Sequence, residues 1–172
     1  TDLLDPINSV QKVHAVVLSG GSAFGLEATC GVSQYLEEKN IGFDVGVCKV
    51  PIVTGAVLFD LAVGDYKVRP DKKMGYKACL EASETELKQG NYGAGCGATV
   101  GKVKGIDYVT KGGIGSYSIK LDNGIVVSAL IAVNAFGDVY ENGQVIAGVL
   151  NDDKSKLLNT YEVMKTGVMK GG

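Results

Sequence analysis

The chain has 172 residues, is 45% hydrophobic and carries a formal net charge of −2. That length and apolar content are sufficient for a sizeable core, and we expect residues 1–172 to form a single domain. Lysine and arginine form no basic run, and no apolar run reaches the roughly 18–20 residues that span a membrane, so nucleic acid and membranes are not expected partners. No signal peptide opens the sequence, and we expect a cytoplasmic protein.

The cysteines and the single histidine argue against a disulfide framework and against a metal centre. The four cysteines are widely spaced and form no CxxC motif: Cys30, Cys48, Cys79 and Cys96. We expect them to be reduced and mostly buried. Because the chain has one histidine and its cysteines lack the spacing of metal ligands, we expect no metal site.

Residues 13–40 are predicted to form a strand, a tight turn and a helix. The β-branched run of residues 13–18 favours a buried strand. The sequence Ser19-Gly20-Gly21-Ser22 then interrupts it, because paired glycines adopt backbone angles that other residues resist. Ser22 is the expected N-cap of the following helix. Helical spacing places four residues on its buried face: Ala28, Val32, Tyr35 and Leu36.

The middle of the chain is predicted to contain a second strand and a second helix. Pro51 cannot donate a ladder hydrogen bond, so we expect a loop that leads into a strand near residues 57–61. Residues 71–82 have apolar side chains at roughly helical spacing, and Asp71 is the expected N-cap. The expected apolar face consists of Met74, Ala78 and either Cys79 or Leu80.

Residues 90–105, GNYGAGCGATVGKVKG, form a second glycine cluster in a sequence with 25 glycines. A phosphate-binding loop requires glycine, four residues and then Gly-Lys-Ser/Thr. Cys96 stands where the first glycine is needed, and Val103 stands where the hydroxyl is needed. The cluster is therefore not a phosphate-binding loop.

The remaining chain is predicted to be antiparallel sheet followed by a short helix. Residues 114–121 alternate in polarity, Asp122-Asn123-Gly124 favours a type I′ turn, and the apolar residues 125–133 favour a strand buried on both faces. Asn142-Gly143 predicts a second hairpin of the same kind, and residues 157–165 are weakly helical. This order is typical of a layered α/β domain whose helices cover a largely antiparallel sheet.

The sequence offers no complete catalytic triad. Ser22 lies in GGSAF, which lacks the last glycine of a G-x-S-x-G elbow, and His14 lies upstream in a predicted strand. We interpret Ser22 as a helix cap and His14 as a core or edge residue. Thr1 is formally a residue that its own α-amine could activate, but turn-like sequence follows it, and we interpret it as a result of truncation.

Several segments together resemble one known family of hydrolases. In chain order they are VHAVVLSGGSAFGLEATCGV, VPIVTGAVLFDL, the glycine cluster with KGGIGS after it, and ALIAVNAFGDV. Over residues 1–150 this set resembles the self-cleaving L-aminopeptidase/D-Ala-esterase-amidases, which include β-peptidyl aminopeptidases and the endo-type nylon-oligomer hydrolase. The resemblance implies an N-terminal-nucleophile-like fold of the αββα layered type, with mixed, largely antiparallel sheets covered by helices.

The resemblance also implies a particular place for this chain in a larger protein. In that family a precursor cuts itself ahead of a serine or threonine, which becomes the N-terminal nucleophile of a smaller β chain. We therefore expect this chain to be the larger α portion, with cleavage after Gly172, the nucleophile beyond it and its own β chain as partner. We also expect a segment ahead of Thr1 and a homo-oligomer of αβ units.

Candidate site residues follow from the same resemblance. Asn134 matches the active-site asparagine that helps to stabilise the oxyanion, and the end of a rigid strand suits a preorganised amide donor. Lys102 matches a lysine of the nylon-oligomer hydrolase, and a nearby cation could keep the nucleophile's amine neutral. Phe59 stands where the family typically has a tyrosine near the oxyanion, and phenylalanine cannot donate that hydrogen bond.

Substrate recognition is less defined by the sequence. Ser19, Gly20, Gly21 and Ser22 either shape the substrate cleft or form a purely structural turn. Aminopeptidase members place an acidic residue just before the tyrosine position, whereas Val57 and Leu58 are apolar here. This difference argues against strict aminopeptidase specificity.

The implied function is an N-terminal-nucleophile hydrolase that acts on short peptides or related amides and needs no metal or organic cofactor. Two alternatives stay open. One is an acyltransferase of the ornithine acetyltransferase type on a related self-cleaving fold, and the other is a non-catalytic small-molecule-binding relic. A hydrolase is expected to continue, beyond residue 172, with serine or threonine at the start of an apolar strand.

Overall fold

The structure, a computed structural model, describes residues 2–84 and 87–167. The chain divides into two compact units, one formed by Thr1–Leu58 with Asp65–Glu86 and the other by Phe59–Gly64 with Leu87–Gly172. Both units contain helices and strands, and four of the five strand pairs described are antiparallel. The predicted mixture of helices with largely antiparallel sheets is therefore confirmed.

Some sequence predictions are not tested by the residues that the structure describes. Thr1 and the predicted cleavage after Gly172 lie outside the described residues. The prediction of a single domain over residues 1–172 stays a prediction. Among the residues described, no helix combines the length and the apolar character needed to cross a membrane.

The first unit contains a parallel strand pair and a small antiparallel one. Strand β1 (Ala15–Ser19) pairs in parallel with β4 (Val53–Val57), and β2 (Phe43–Asp44) pairs antiparallel with β3 (Lys49–Val50). The strand predicted near residues 57–61 is thus wrong in position. Proline removes a ladder hydrogen bond only at its own position, so the strand begins two residues after Pro51.

The turn after β1 leads into a helix without a side-chain cap. A 3-10 helix, Ser22–Glu27, continues into α1 (Ala28–Glu38), and the residue at the cap position is Gly21 with φ of 81°. The prediction of Ser22 as N-cap is therefore wrong. The predicted buried face is confirmed for Ala28, Val32 and Leu36, which are buried. Tyr35, also predicted on that face, is half-buried.

Helix α2 (Lys72–Glu81) starts as predicted but buries a different face. The Oδ1 of Asp71 accepts a hydrogen bond of 2.8 Å from the Met74 amide, so the predicted N-cap is confirmed. Met74 is 53% exposed and Leu80 is 62% exposed, whereas Gly75 is buried. The predicted apolar face is therefore wrong, because α2 packs through its glycine instead of through its large side chains.

Helices α1 and α2 touch through their backbones. A Cβ atom added to Gly31 would lie 1.9 Å from the carbonyl oxygen of Lys72, and one added to Gly75 would lie 2.0 Å from that of Ala28. Each glycine thus allows the other helix to approach to a distance that no side chain permits. Beside this contact the Tyr35 and Tyr76 rings meet edge to face at 5.7 Å.

The second unit consists of three antiparallel pairs and a short helix. The pairs are β5 (Thr99–Val100) with β6 (Thr110–Lys111), β7 (Gly113–Lys120) with β8 (Val126–Val133), and β9 (Val139–Glu141) with β10 (Gln144–Ala147). Helix α3 (Thr160–Lys165) follows and is capped by the side chain of Asn159. The core of this unit includes three fully buried valines: Val100, Val103 and Val149.

The two predicted hairpin turns differ. Asn142 and Gly143 both have positive φ, 50° and 80°, as a type I′ turn requires, so that prediction is confirmed. In the β7–β8 hairpin only Gly124 has positive φ, and the Leu121 amide bonds the Ile125 carbonyl across a three-residue loop. The type I′ prediction is wrong there, because a type I′ turn has two loop residues and this loop has three. A three-residue loop needs only its last residue in the left-handed region.

Strand β8 is exposed, which contradicts the prediction that it is buried on both faces. Val127 is 58% exposed and Ile131 is 56% exposed, and among the described residues β8 pairs only with β7. The register places Val127 opposite Ile119 and Ala129 opposite Tyr117, so one face of the hairpin is apolar. The opposite face contains the hydrogen-bonded pair Ser118 and Ser128.

The cysteines are free thiols, but most of them are not buried. Cys30, Cys48 and Cys96 are exposed and Cys79 is half-buried, so the prediction of mostly buried thiols is wrong. Burial raises the pKa of the Cys79 thiol. The exposed cysteines occupy solvent-facing positions that a small apolar residue tolerates at little cost.

Candidate functional site

Asn134 lies directly after β8, and its carboxamide takes part in three hydrogen bonds. Its Oδ1 accepts from the Thr99 amide at 3.0 Å and from Lys102 Nζ at 2.9 Å, and its Nδ2 donates to the Phe59 carbonyl at 2.9 Å. All four residues belong to the second unit. The structure thus brings together three residues that the sequence singled out: Asn134, Lys102 and Phe59.

These contacts determine which way the carboxamide points. Both neighbours of Oδ1 are donors, and the neighbour of Nδ2 is an acceptor, so the flipped amide would face two donors with its own donors. An amide nitrogen carries two N–H groups, and the second has no acceptor among the described residues. The arrangement therefore presents one oriented N–H group to a ligand oxygen.

Lys102 is surrounded by oxygen atoms of the chain. Its Nζ donates to the carbonyl oxygens of Asn134 at 2.7 Å, Thr99 at 3.0 Å and Ala135 at 3.4 Å, besides Asn134 Oδ1. It forms no ion pair within the part of the chain that is described. Desolvation by burial lowers the pKa of Lys102 from its ordinary value.

A glycine turn positions Lys102. Gly101 has φ of 80°, and an added Cβ would lie 2.0 Å from the Val149 amide nitrogen, so only glycine fits. The amides of Gly101 and Lys102 donate to the carbonyl oxygens of Gly137 and Phe136, each at 2.8 Å. The segment after β5 is thus fixed against the segment after Asn134.

A second lysine organises the glycine cluster that precedes β5. Lys111 Nζ donates to the carbonyl oxygens of Cys96 at 2.6 Å, Ala98 at 2.9 Å and Gly95 at 3.2 Å. These carbonyls lead directly to Thr99, whose amide orients Asn134. The cluster therefore supports the candidate site through these hydrogen bonds. This structural role agrees with the sequence, which does not match a phosphate-binding loop.

Phe59 contributes its backbone instead of its side chain. Its carbonyl oxygen fixes Asn134, whereas its ring is 62% exposed and has no hydroxyl. Thr99 was missed by sequence reasoning, because it also acts through its backbone amide, which any residue except proline provides. No residue pattern could have identified either contact.

The predicted substrate-binding turn Ser19–Ser22 lies in the first unit. There Leu58 N donates to the Ser19 carbonyl and Ser22 N donates to the Leu58 carbonyl, each at 3.0 Å, so the turn is bonded to the end of β4. Ser22 has φ of 53°, which is uncommon for a residue other than glycine. The turn is rigid, and its role in binding substrate stays a prediction.

His14 has a structural environment. Its Nδ1 accepts a hydrogen bond of 3.0 Å from the Ile52 amide, and its own amide donates to the Ile52 carbonyl at 2.8 Å. It is half-buried beside the start of β1. The imidazole thus continues the parallel ladder by one residue.

Comparison with known proteins relates this chain to one family of peptidases and amide hydrolases. Residues 1–168 match the model of peptidase family S58. The chain is 47% identical over 148 residues to an uncharacterized aminopeptidase of Mycobacterium leprae, covering 82% of this chain and 39% of the relative. It is 40% identical over 90 residues to a 6-aminohexanoate-oligomer endohydrolase of Kocuria, covering 52% of this chain and 25% of the relative.

These similarities define the family of the chain. The chain belongs to peptidase family S58, which confirms the resemblance to the self-cleaving aminopeptidases and nylon-oligomer hydrolases. It spans about two fifths of the length of the mycobacterial relatives, 39% in the case of the Mycobacterium leprae protein.

Proposed function

We propose that the whole protein hydrolyses amide bonds in short peptides or oligoamides, and that this chain supplies the oxyanion donor. The supporting observation is the oriented carboxamide of Asn134, which keeps one N–H group available beside the half-buried ammonium of Lys102. A preorganised donor of this kind contributes roughly 3–4 kcal/mol to stabilising a developing oxyanion. The names of the relatives, aminopeptidase and 6-aminohexanoate-oligomer endohydrolase, support amides as the substrate class.

The reaction proceeds in two halves. The hydroxyl of an N-terminal serine or threonine attacks the amide carbonyl while its own α-amine takes the proton, and Asn134 donates to the oxyanion. Collapse breaks the C–N bond, and the α-ammonium gives the proton to the leaving amine. Water then attacks the ester carbonyl of the acyl-enzyme while the α-amine takes its proton, the C–O bond to the nucleophile breaks, and the proton passes to the hydroxyl oxygen as the acid leaves. Lys102 holds Asn134 in position, and its positive charge favours a neutral amine on the nucleophile.

In this proposal the nucleophile belongs to a companion β chain that self-cleavage produces after Gly172. The apolar face of the β7–β8 hairpin supports a companion, because exposed apolar patches of this kind mark interaction surfaces. We assign the companion to that face, and the two together to a layered αββα sandwich. The αβ unit then forms a cytoplasmic homo-oligomer.

The test uses the full-length protein. Intact-mass spectrometry is expected to show two fragments that break beside Gly172, and incubation with 6-aminohexanoate oligomers or short peptides is expected to release free amines. An uncut polypeptide that hydrolyses none of these amides would contradict the proposal. Transfer of an acetyl group to an added amine, without hydrolysis, would instead identify an acyltransferase.

A further inference from the structure

The carboxylate of Asp60 fills the place that a side chain at Gly97 would take. A Cβ atom added to Gly97 would lie 2.6 Å from Asp60 Cγ and closer still to its Oδ2. Both residues belong to the second unit, Asp60 in its 59–64 segment and Gly97 in the glycine cluster. The φ of Gly97 lies outside the left-handed region, so glycine is needed here for space and not for its backbone angles.

The segments on both sides of this contact are restrained by hydrogen bonds. On the side of the glycine, the carbonyl oxygens of Cys96 and Ala98 accept from Lys111 Nζ at 2.6 Å and 2.9 Å, and Ala98 is fully buried. On the other side, the Asp60 carbonyl accepts from the Val63 amide at 2.9 Å, which closes a turn. The contact therefore joins two segments whose backbones are each held in place.

The same two segments orient the carboxamide of Asn134. Phe59, directly before Asp60, accepts from its Nδ2 at 2.9 Å, and Thr99, two residues after Gly97, donates to its Oδ1 at 3.0 Å. These contacts form a closed ring that runs from the carboxamide through one segment, across the contact and back through the other. The distance between the Phe59 carbonyl and the Thr99 amide thus depends on how closely the carboxylate approaches the glycine.

We propose that Asp60 is a positioning residue, which acts through Gly97 and Thr99 to hold the Asn134 donor in the direction that the reaction needs. The inference rests on the proposed amide hydrolysis and adds a residue to its machinery. In this role Asp60 touches no reacting atom. It affects kcat because a displacement of about 1 Å in a catalytic group can cost roughly 100-fold in rate.

Substitutions in two backgrounds test the inference in the full-length protein. Gly97→Ala forces the two segments apart, so we expect kcat on 6-aminohexanoate oligomers to fall roughly tenfold to hundredfold with KM unchanged, because only the donor is displaced. Asp60→Ala removes the atoms that lie on Gly97 and is expected to lower kcat severalfold. Asp60→Asn keeps the shape and is expected to recover most of that loss. In an Asn134→Asp background, which lacks the donor, none of these changes is expected to lower kcat further.

Asp122→Ala is the matched control. Asp122 is exposed in the hairpin turn at the end of β8 opposite to Asn134, so this variant removes a carboxylate outside the ring of contacts. It is expected to keep the wild-type kcat and KM. Equal losses of kcat in the wild-type and Asn134→Asp backgrounds would overturn the inference. A lower thermal stability of Gly97→Ala and Asp60→Ala with unchanged kcat would do the same, because it would mean that the contact is only structural.

Amide exchange separates this inference from the proposed reaction. The Thr99 amide is bonded to Asn134 Oδ1, so hydrogen–deuterium exchange at Thr99 reports on this bond without any substrate. Exchange there is expected to be faster in Gly97→Ala and Asp60→Ala than in the wild type and Asp122→Ala, while the β7–β8 hairpin stays as protected as in the wild type. Unchanged exchange at Thr99, or equally faster exchange in the hairpin, contradicts the positioning role. A wild type that hydrolyses no amide would contradict the proposed function, and exchange at Thr99 would still decide the role of Asp60.

Discussion

Lys102 binds Asn134 at two points: its Nζ is 2.7 Å from the carbonyl oxygen and 2.9 Å from Oδ1. One ammonium therefore fixes the main chain and the side chain of the same residue. Rotation of the carboxamide would break both hydrogen bonds that Oδ1 accepts, the one from Lys102 Nζ and the one from the Thr99 amide. A donor restrained in this way needs little reorganisation when charge develops on a substrate oxygen.

Replacing Asn134 by aspartate is expected to slow hydrolysis strongly while the protein stays folded. Asn134→Asp keeps the Oδ1 acceptor for Thr99 and Lys102 but loses the N–H donors, so we expect kcat to fall roughly 10²–10³-fold. The measurement is kcat on a short amide substrate, with circular dichroism as a test of folding. Asn123→Asp is the control, because Asn123 lies in the hairpin turn at the other end of β8. Unchanged kcat in Asn134→Asp would exclude Asn134 as the donor.

The lowered pKa of Lys102 predicts a distinct dependence of stability on pH. Between the lowered folded pKa and the ordinary value of 10.5, the unfolded chain binds more protons at this residue than the folded chain does. The contribution of Lys102 to the free energy of unfolding therefore rises with pH across that window. Denaturant titrations of wild type and Lys102→Met are expected to diverge in favour of the wild type toward alkaline pH. Parallel curves would refute this.

The two faces of the β7–β8 hairpin are expected to respond differently to a new charge. Val127→Lys places an ammonium on the apolar face, where a companion would bury it, whereas Ser128→Lys places the same charge on the serine face of the next residue. We expect Val127→Lys to reduce recovery of the two chains as a complex, measured by co-purification of the full-length product. Equal recovery of both variants would mean that the apolar face is not the interface.

The contact between α1 and α2 is expected to tolerate no methyl group. Gly31→Ala and Gly75→Ala each place a Cβ about 2 Å from a carbonyl oxygen of the other helix, and overpacking of this kind typically costs about 1–3 kcal/mol of unfolding free energy. Gly137→Ala is the control, because Gly137 has open space around its Cβ position and a φ outside the left-handed region. Thermal denaturation should show a lower midpoint only for the first two variants.

Several local signals in the sequence are confirmed, although the Ser22 cap and the type I′ turn at residues 122–124 are not. Asp71 caps α2, Asn142-Gly143 forms its type I′ turn, and α1 buries the face that its spacing indicates. Each of these depends on a few neighbouring residues and on backbone geometry. The bounds of α2 followed for the same reason.

Signals that depend on distant packing were less reliable. Strand β8 is apolar along its length, but burial requires a partner surface, and the described residues supply none beyond β7. The buried face of α2 was misread because glycine carries no hydrophobic signal, although Gly75 makes the closest contact. At the candidate site the sequence indicated Asn134 and Lys102, whereas the backbone groups of Thr99 and Phe59 that orient them have no side-chain signature.

The backbone contact between α1 and α2 has a consequence for recombination with relatives. Because each glycine receives a carbonyl of the opposite helix, either helix fits only a partner whose own backbone approaches equally closely. A chimera that exchanges one of the two segments would bring a foreign side chain or a shifted turn into a space of atomic size. The two segments should therefore be transplanted as a pair.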